Sequence, residues 1–204
     1  MNNGKQGTWI VKVGSQLRNY KIECWKNDEK YRYKLKISLM NSISIKEILV
    51  IMLNPSTADE KKNNFDPTCR FLINICHSNG YDSITICNLF SFITKYVKIL
   101  DKNIQEDEPR LNNEILENSM KGFNEILCAW GGPYKEIKNK KILNDRLKEV
   151  FKSLKLQKLR GKKILKLKIK KGYENKYPQY PPHPSRKRYN TEFEPYCIEE
   201  INIG

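Results

Sequence analysis

A chain of 204 residues, 39% hydrophobic and 30% charged, has room for one generous domain or one domain with an appendage, which excludes two full domains and disorder throughout. Its 38 Lys and Arg against 23 Asp and Glu leave a net charge of +15, which favours a polyanionic partner, nucleic acid first, although the codons of an AT-rich genome also inflate Lys. No apolar run approaches the roughly 18 residues that span a bilayer, and the opening MNNGKQGTW lacks the apolar stretch of a secretory signal, so a soluble cytoplasmic protein is expected.

Three short β-rich segments come first, Thr8 to Val13, Tyr20 to Trp25 and Tyr31 to Ile37, separated by Gly-Ser and Asn-Asp. They predict an antiparallel meander over residues 1–40, packed on a core of residues 41–204 as one compact unit. Ile48 to Leu53 is a continuous apolar run ended by Asn-Pro, as in a parallel strand buried on both faces. Thr68 to Ser78 places Phe71, Leu72, Ile75 and Cys76 at helical spacing before Asn79-Gly80, and Ile84 to Leu89 reads as a second buried strand. A helix over Asn112 to Met120, a strand over Glu125 to Trp130 and a long basic helix over Lys135 to Leu154 follow.

From Lys152 to Lys171 there are ten basic residues and no acidic one, with Ile164, Leu165, Leu167 and Ile169 interleaved as in a last strand. That tract is either a charged edge strand that resists aggregation or a nucleic-acid contact through residues such as Lys166 and Lys168. Tyr173 to Tyr189, rich in Tyr, Pro and basic residues, reads as a loop. Six cysteines, none in a Cys-x-x-Cys pair, suggest reduced core thiols and neither a metal site nor a cluster. The alternation of strands and helices predicts an α/β fold with a mainly parallel sheet and ligands beyond the carboxyl ends of its strands.

Those ends carry the polar motifs. Asn54-Pro55-Ser56-Thr57-Ala58-Asp59 follows the first buried strand, Asn88-Leu89-Phe90 the second and Trp130-Gly131-Gly132 the third. A late Pro182-His183-Pro184-Ser185 loop adds one of only two histidines. In a parallel sheet two asparagines, a histidine and several hydroxyls would gather on one rim. Each has a plainer reading: Asn54 a turn residue or helix cap, Asn88 a strand-end cap, His183 an exposed loop residue, Phe90 and Trp130 core, and Asp59 and Asp66 turn and cap residues. His77, beside Cys76 in a helical pattern, reads as structural.

In order and placement, strand-NPST, strand-CNLF, strand-CAWGG and HPS resemble the motifs of the uracil-DNA glycosylase superfamily. The run IMLNPSTAD, DPT, GY, NLF, WG, HP is also similar to a bacterial domain family of uncharacterised function over roughly residues 31–190. The superfamily resemblance implies a three-layer α/β/α fold with a central, mainly parallel four-stranded sheet, here joined to the meander. It implies a monofunctional DNA glycosylase that hydrolyses the N-glycosidic bond of a damaged or modified base, needs no metal or organic cofactor, and acts on DNA as a monomer.

Carried over by position, Asn54 would orient the water, Asn88 would read the base edge and His183 would stabilise the departing base. Asp59 or Asp66 is a candidate water activator, and Ser56, standing where uracil enzymes have a methyl-rejecting Tyr, would admit a larger pyrimidine. Phe90 could stack on the base. Thr57 and Ser185 would hold phosphates, and Arg186, Lys187 and Arg188, where the superfamily has a leucine wedge, would track the backbone or enter the duplex. A bulky modified pyrimidine is the preferred substrate, in antiviral defence or in base-excision repair. The rival readings are a hydrolase of free nucleosides or nucleotides and a non-catalytic nucleic-acid-binding module.

Overall fold

A computed structural model of the chain describes residues 5–27, 29–42, 46–56, 66–103, 109–171, 176–184 and 189–203. Strands β1 (Lys5–Val13), β2 (Gln16–Asn27) and β3 (Tyr31–Leu39) form an antiparallel meander. The period of two does the sorting: Trp9, Val11 and Val13 are buried, while Ile10 and Lys12 between them face out.

The next four strands, β4 (Glu47–Met52), β5 (Ser83–Asn88), β6 (Glu125–Cys128) and β7 (Lys163–Ile169), run parallel in the order β5-β4-β6-β7. Every residue of β4 from Ile48 to Met52 is buried, because helices lie on both faces. On one face α1 (Pro67–Ser78) packs Leu72, Ile75 and Cys76 against Ile48, Val50 and Ile86, and this core continues to Trp9 and Ile22 of the meander. On the other, α2 (Val97–Asn103), α3 (Pro109–Gly122) and α4 (Lys140–Leu159) bring Leu100, Leu116, Leu147 and Phe151 onto Leu49, Ile51 and Cys128.

The sheet is wider than the four strands expected. Those four are the middle of eight, because β3 pairs antiparallel with β5 on one side and β8 (Tyr189–Pro195) pairs antiparallel with β7 on the other. β7 is therefore an interior strand and not the charged edge that its lysines suggest. Lys166 pairs with Glu194 at 3.3 Å and Lys168 with Glu192 at 2.7 Å, so the β8 carboxylates answer the basic row.

Two other differences have local causes. The long helix starts at Lys140 rather than Lys135, because the Asp101 carboxylate accepts from the Lys138 and Asn139 backbone N–H groups and Asn139 then caps the helix through Ile142 N. The third buried strand stops at Cys128, because beyond it Trp130 and Gly131 bond to a different partner, the 176–184 segment.

At the sheet end opposite the polar motifs, Glu125 binds the Tyr81 hydroxyl at 2.9 Å and the ammonium groups of Lys163 and Lys46 at 2.9 and 3.4 Å. Burial pushes this carboxyl up, but Lys163, Tyr81 and Lys46 outweigh it and hold it below its ordinary value of 4.5. A lowered folded-state pKa means stability that is complete above the ordinary value and is lost as pH falls through the folded one. Glu125→Gln is therefore expected to unfold more easily at pH 7 by about 1–3 kcal/mol. The gap to wild type should narrow as the pH falls below 4.5 and through the lowered folded-state pKa, which denaturant melts across pH would measure.

All six cysteines are free. Five are buried and Cys197, contrary to a core role, is exposed. Burial pushes the Cys69 thiol up to about 12 and Cys87 up to about 11, which leaves little thiolate at neutral pH. Among the described residues no helix is long and apolar enough to cross a membrane.

Candidate active site at the strand ends

The winding of the chain opens a crevice at the end of β4. Its exit leads to α1 on one face of the sheet, while the exits of its neighbours β5 and β6 lead to α2, α3 and α4 on the other. Loops that diverge in this way leave a gap beyond the carboxyl ends. Two adjoining cavities of about 60 and 290 Å³ occupy it, and Asn54, Ser56, Thr68 and His183 line both.

Asn54 is held by two hydrogen bonds. Its Nδ2 donates to the main-chain carbonyls of Pro55 at 3.0 Å and Thr94 at 2.8 Å, which uses both amide hydrogens. Its oxygen remains, an acceptor that can orient a water but cannot take its proton.

Asn88 follows Ile84 and Ile86 at a period of two and so falls on the α1 face, where it lines the smaller cavity. It is only 2% exposed, yet its side-chain amide has no hydrogen-bond partner among the described residues, although its main-chain carbonyl accepts from Asn112. A side-chain amide that lines a cavity offers a ligand edge one acceptor and two donor hydrogens.

Asp66 caps α1 by accepting from Thr68 N at 2.6 Å and lines the same cavity. Both of its readings, cap and cleft carboxylate, are thus realised in one residue. Arg32 of β3 joins them at 4% exposure and was not singled out from the sequence. A lone Arg in an alternating strand carries no signal of its own, and only the pairing of β3 with β5 carries it to the strand end. Arg32 and the amino end of α1 together favour negative charge in this cavity, with Asp66 opposing them.

The His183 loop is clamped by the Trp-Gly-Gly motif. Trp130 Nε1 donates to Gln179 O at 3.1 Å, Gly131 N donates to Pro181 O at 2.9 Å, and the Tyr196 hydroxyl donates to Pro178 O at 2.6 Å. Trp130 is itself fully buried against Phe151. Gly131 and Gly132 have φ of 74° and 131°. A Cβ on Gly131 would lie 2.7 Å from His183 Cβ, and one on Gly132 would lie 2.4 Å from the Tyr180 ring. Two glycines are required here so that the histidine loop can approach the end of β6.

The structure thus brings Asn54, Ser56, Asp66, Asn88 and His183 around one crevice. Phe90 does not join them: it is 4% exposed and buried in the second core with Leu100 and Leu116, so a stacking role for it is corrected to a packing one. Lys166 and Lys168 line neither cavity and face Glu194 and Glu192. His77 sits in the last turn of α1, away from both. Thr57, Asp59, Ser185, Arg186, Lys187 and Arg188 lie outside the described residues.

An α/β domain with helices on both faces of its sheet and a buried polar crevice at the parallel strand ends is a ligand-binding architecture. The chain belongs to the family described as "Protein of unknown function (DUF1643)", whose model matches residues 32–184 and so begins at Arg32 and ends one residue after His183. No curated protein and no solved structure matches the chain.

Proposed function

We propose that this protein is a monofunctional DNA glycosylase built on a uracil-DNA glycosylase-like α/β/α core, acting on a damaged or modified base to leave an abasic site. The observation that carries the reading is that Asn88, Asn54 and His183 line one crevice at the parallel strand ends. The parallel block β5-β4-β6-β7 with helices on both faces also supports it.

The chemistry follows from the groups present. Water held by the Asn54 oxygen attacks C1′ of the sugar, the C1′–N bond breaks, and its electron pair leaves with the base. Negative charge on the base then grows in a cavity that holds Arg32, the amino end of α1 and His183, all of which favour an anion over a neutral ring. Asp66, with one oxygen on Thr68 N, has a second oxygen to accept the proton that the water loses as its oxygen bonds to C1′, and that proton ends on the departed base. Asn88 reads the base edge with one donor and one acceptor. The adjoining 290 Å³ cavity leaves room for a substituent, which favours a bulky modified pyrimidine and suits either defence against modified phage DNA or repair.

The test is release of free bases, read by mass spectrometry, from DNAs carrying uracil, mismatches and modified pyrimidines. Asn88→Ala is expected to stay within about 1 kcal/mol of wild-type stability, since no protein hydrogen bond is lost, while release falls at least about 100-fold. Equal release by the variant and wild type would remove Asn88 from the site. Release from free nucleosides but not from DNA would replace the glycosylase with a nucleoside hydrolase.

A further inference from the structure

Lys166 and Lys168 of β7 are paired with Glu194 and Glu192, and the mouth of the crevice offers a nucleic acid another place. Tyr96, 65% exposed, belongs to the segment that borders it. Its chain neighbours Lys95 and Val97 both line the 290 Å³ cavity. The backbone beneath the ring is fixed: Tyr96 N donates to Thr94 Oγ1 at 3.1 Å, and Tyr96 O accepts from Ile99 N and Leu100 N as α2 begins. Thr94 O in turn accepts from Asn54 Nδ2, so the exposed ring and the water-orienting amide are fixed to one short segment. The loop that carries His183 also presents Tyr177, 49% exposed and edge-on to Tyr180, next to the exposed Lys176.

We propose that Tyr96 and Lys95 form a platform for single-stranded DNA, with a base next to the target nucleotide stacked on the Tyr96 ring and its phosphate held by Lys95 and Lys98. An open aromatic face beside cations is the arrangement that single strands use, because every unpaired base offers a π-face and every linkage a charge. In a duplex the neighbouring bases already stack on one another, so the ring would gain nothing until the helix opened. The inference rests on the crevice being a base-binding site and deepens that reading by naming the form of DNA it takes.

The experiment is fluorescence anisotropy of a labelled oligonucleotide, alone and annealed to its complement, with base release measured on the same samples. Wild type is expected to bind the single strand about 10-fold more tightly than the duplex. Tyr96→Ala should weaken single-strand binding about 5-fold or more, Tyr96→Phe should restore it, and Lys95→Ala should lower the salt slope by about one. Lys166→Ala and Lys168→Ala should leave binding unchanged. Melting curves check that Tyr96→Ala, an exposed substitution, is folded.

Equal or tighter duplex binding, or Tyr96→Ala binding like wild type, overturns the platform. If wild type releases no base yet its single-strand binding depends on the Tyr96 ring, the platform stands and the glycosylase reading fails. If base is released and Tyr96→Ala changes neither binding nor KM, the reverse holds.

Discussion

Asn54→Asp is expected to destroy activity and to weaken the fold. A carboxylate can take a proton from water and an amide cannot, so on the proposed mechanism the substitution looks like a gain. Here both amide hydrogens of Asn54 are given to main-chain carbonyls, those of Pro55 and Thr94. A carboxylate would lose both bonds and set a negative charge against two carbonyl oxygens. Two hydrogen bonds to partly buried carbonyls put the cost at about 2–4 kcal/mol, or a Tm lower by roughly 5–10 °C for a chain of this size. If the proposed mechanism holds, base release should fall at least about 100-fold, since the oxygen proposed to orient the water is displaced along with the segment that carries Thr94. Asn54→Ala should lose similar activity with a smaller drop in Tm. Faster release by the Asp variant at an unchanged Tm would mean that the amide is not committed to those carbonyls.

The second large effect is expected at Gly132. Alanine there meets two obstacles at once, a φ of 131° that L side chains rarely adopt and a Cβ 2.4 Å from the Tyr180 ring. Tyr180 lies three residues before His183, on the segment that Trp130 and Gly131 bind. The backbone conformation alone costs about 1–3 kcal/mol, and relief of the clash moves the loop. Gly132→Ala should therefore lower Tm by about 5 °C or more and cut base release by at least about 100-fold, with His183 carried out of place. Trp130→Phe isolates the clamp. It keeps an aromatic ring in the core but loses the bond to Gln179 O and some packing volume, and a smaller loss of release with stability lower by about 1–3 kcal/mol is the expected result. Wild-type release by Gly132→Ala would show that the histidine loop does not need its seat on β6.

How much of this could be read beforehand divides along physical lines. The buried strands announced themselves because ILVIML and SITIC are covered on both faces, and a continuous apolar run is the mark of that burial. Asn54 and Asn88 were legible because polar residues directly after such runs have nowhere to go but the rim, whereas His183 follows no such run and stood out only as a rare histidine in a Pro-flanked motif. Elements held by partners distant in sequence were not legible. β8 begins where the predicted loop ends, at Tyr189, in a stretch with no predicted element: it is held as a strand by β7, with Glu192 and Glu194 against Lys168 and Lys166. α2, at seven residues, is too short to show a helical period. Phe90 illustrates the opposite error, a residue adjacent to a site in sequence whose side chain turns into the core. Arg32 is the clearest omission, because its place in the cavity depends on strand pairing and on nothing nearby in the chain.

The order of strands also bears on how the protein comes off the ribosome. β3 and β4 follow one another in the chain but do not touch, since β5 lies between them and pairs with both. The meander can close from local hairpins as soon as Leu39 has emerged, but its inner edge has no partner until the chain has been made through Asn88. During that interval β3 shows bare main-chain donors and acceptors over a half-built apolar face, the condition in which strands pair with the wrong chain. Slow synthesis through the stretch between β4 and β5 would prolong that exposure, and misassembly should therefore track translation speed there more closely than it tracks the stability of the finished fold.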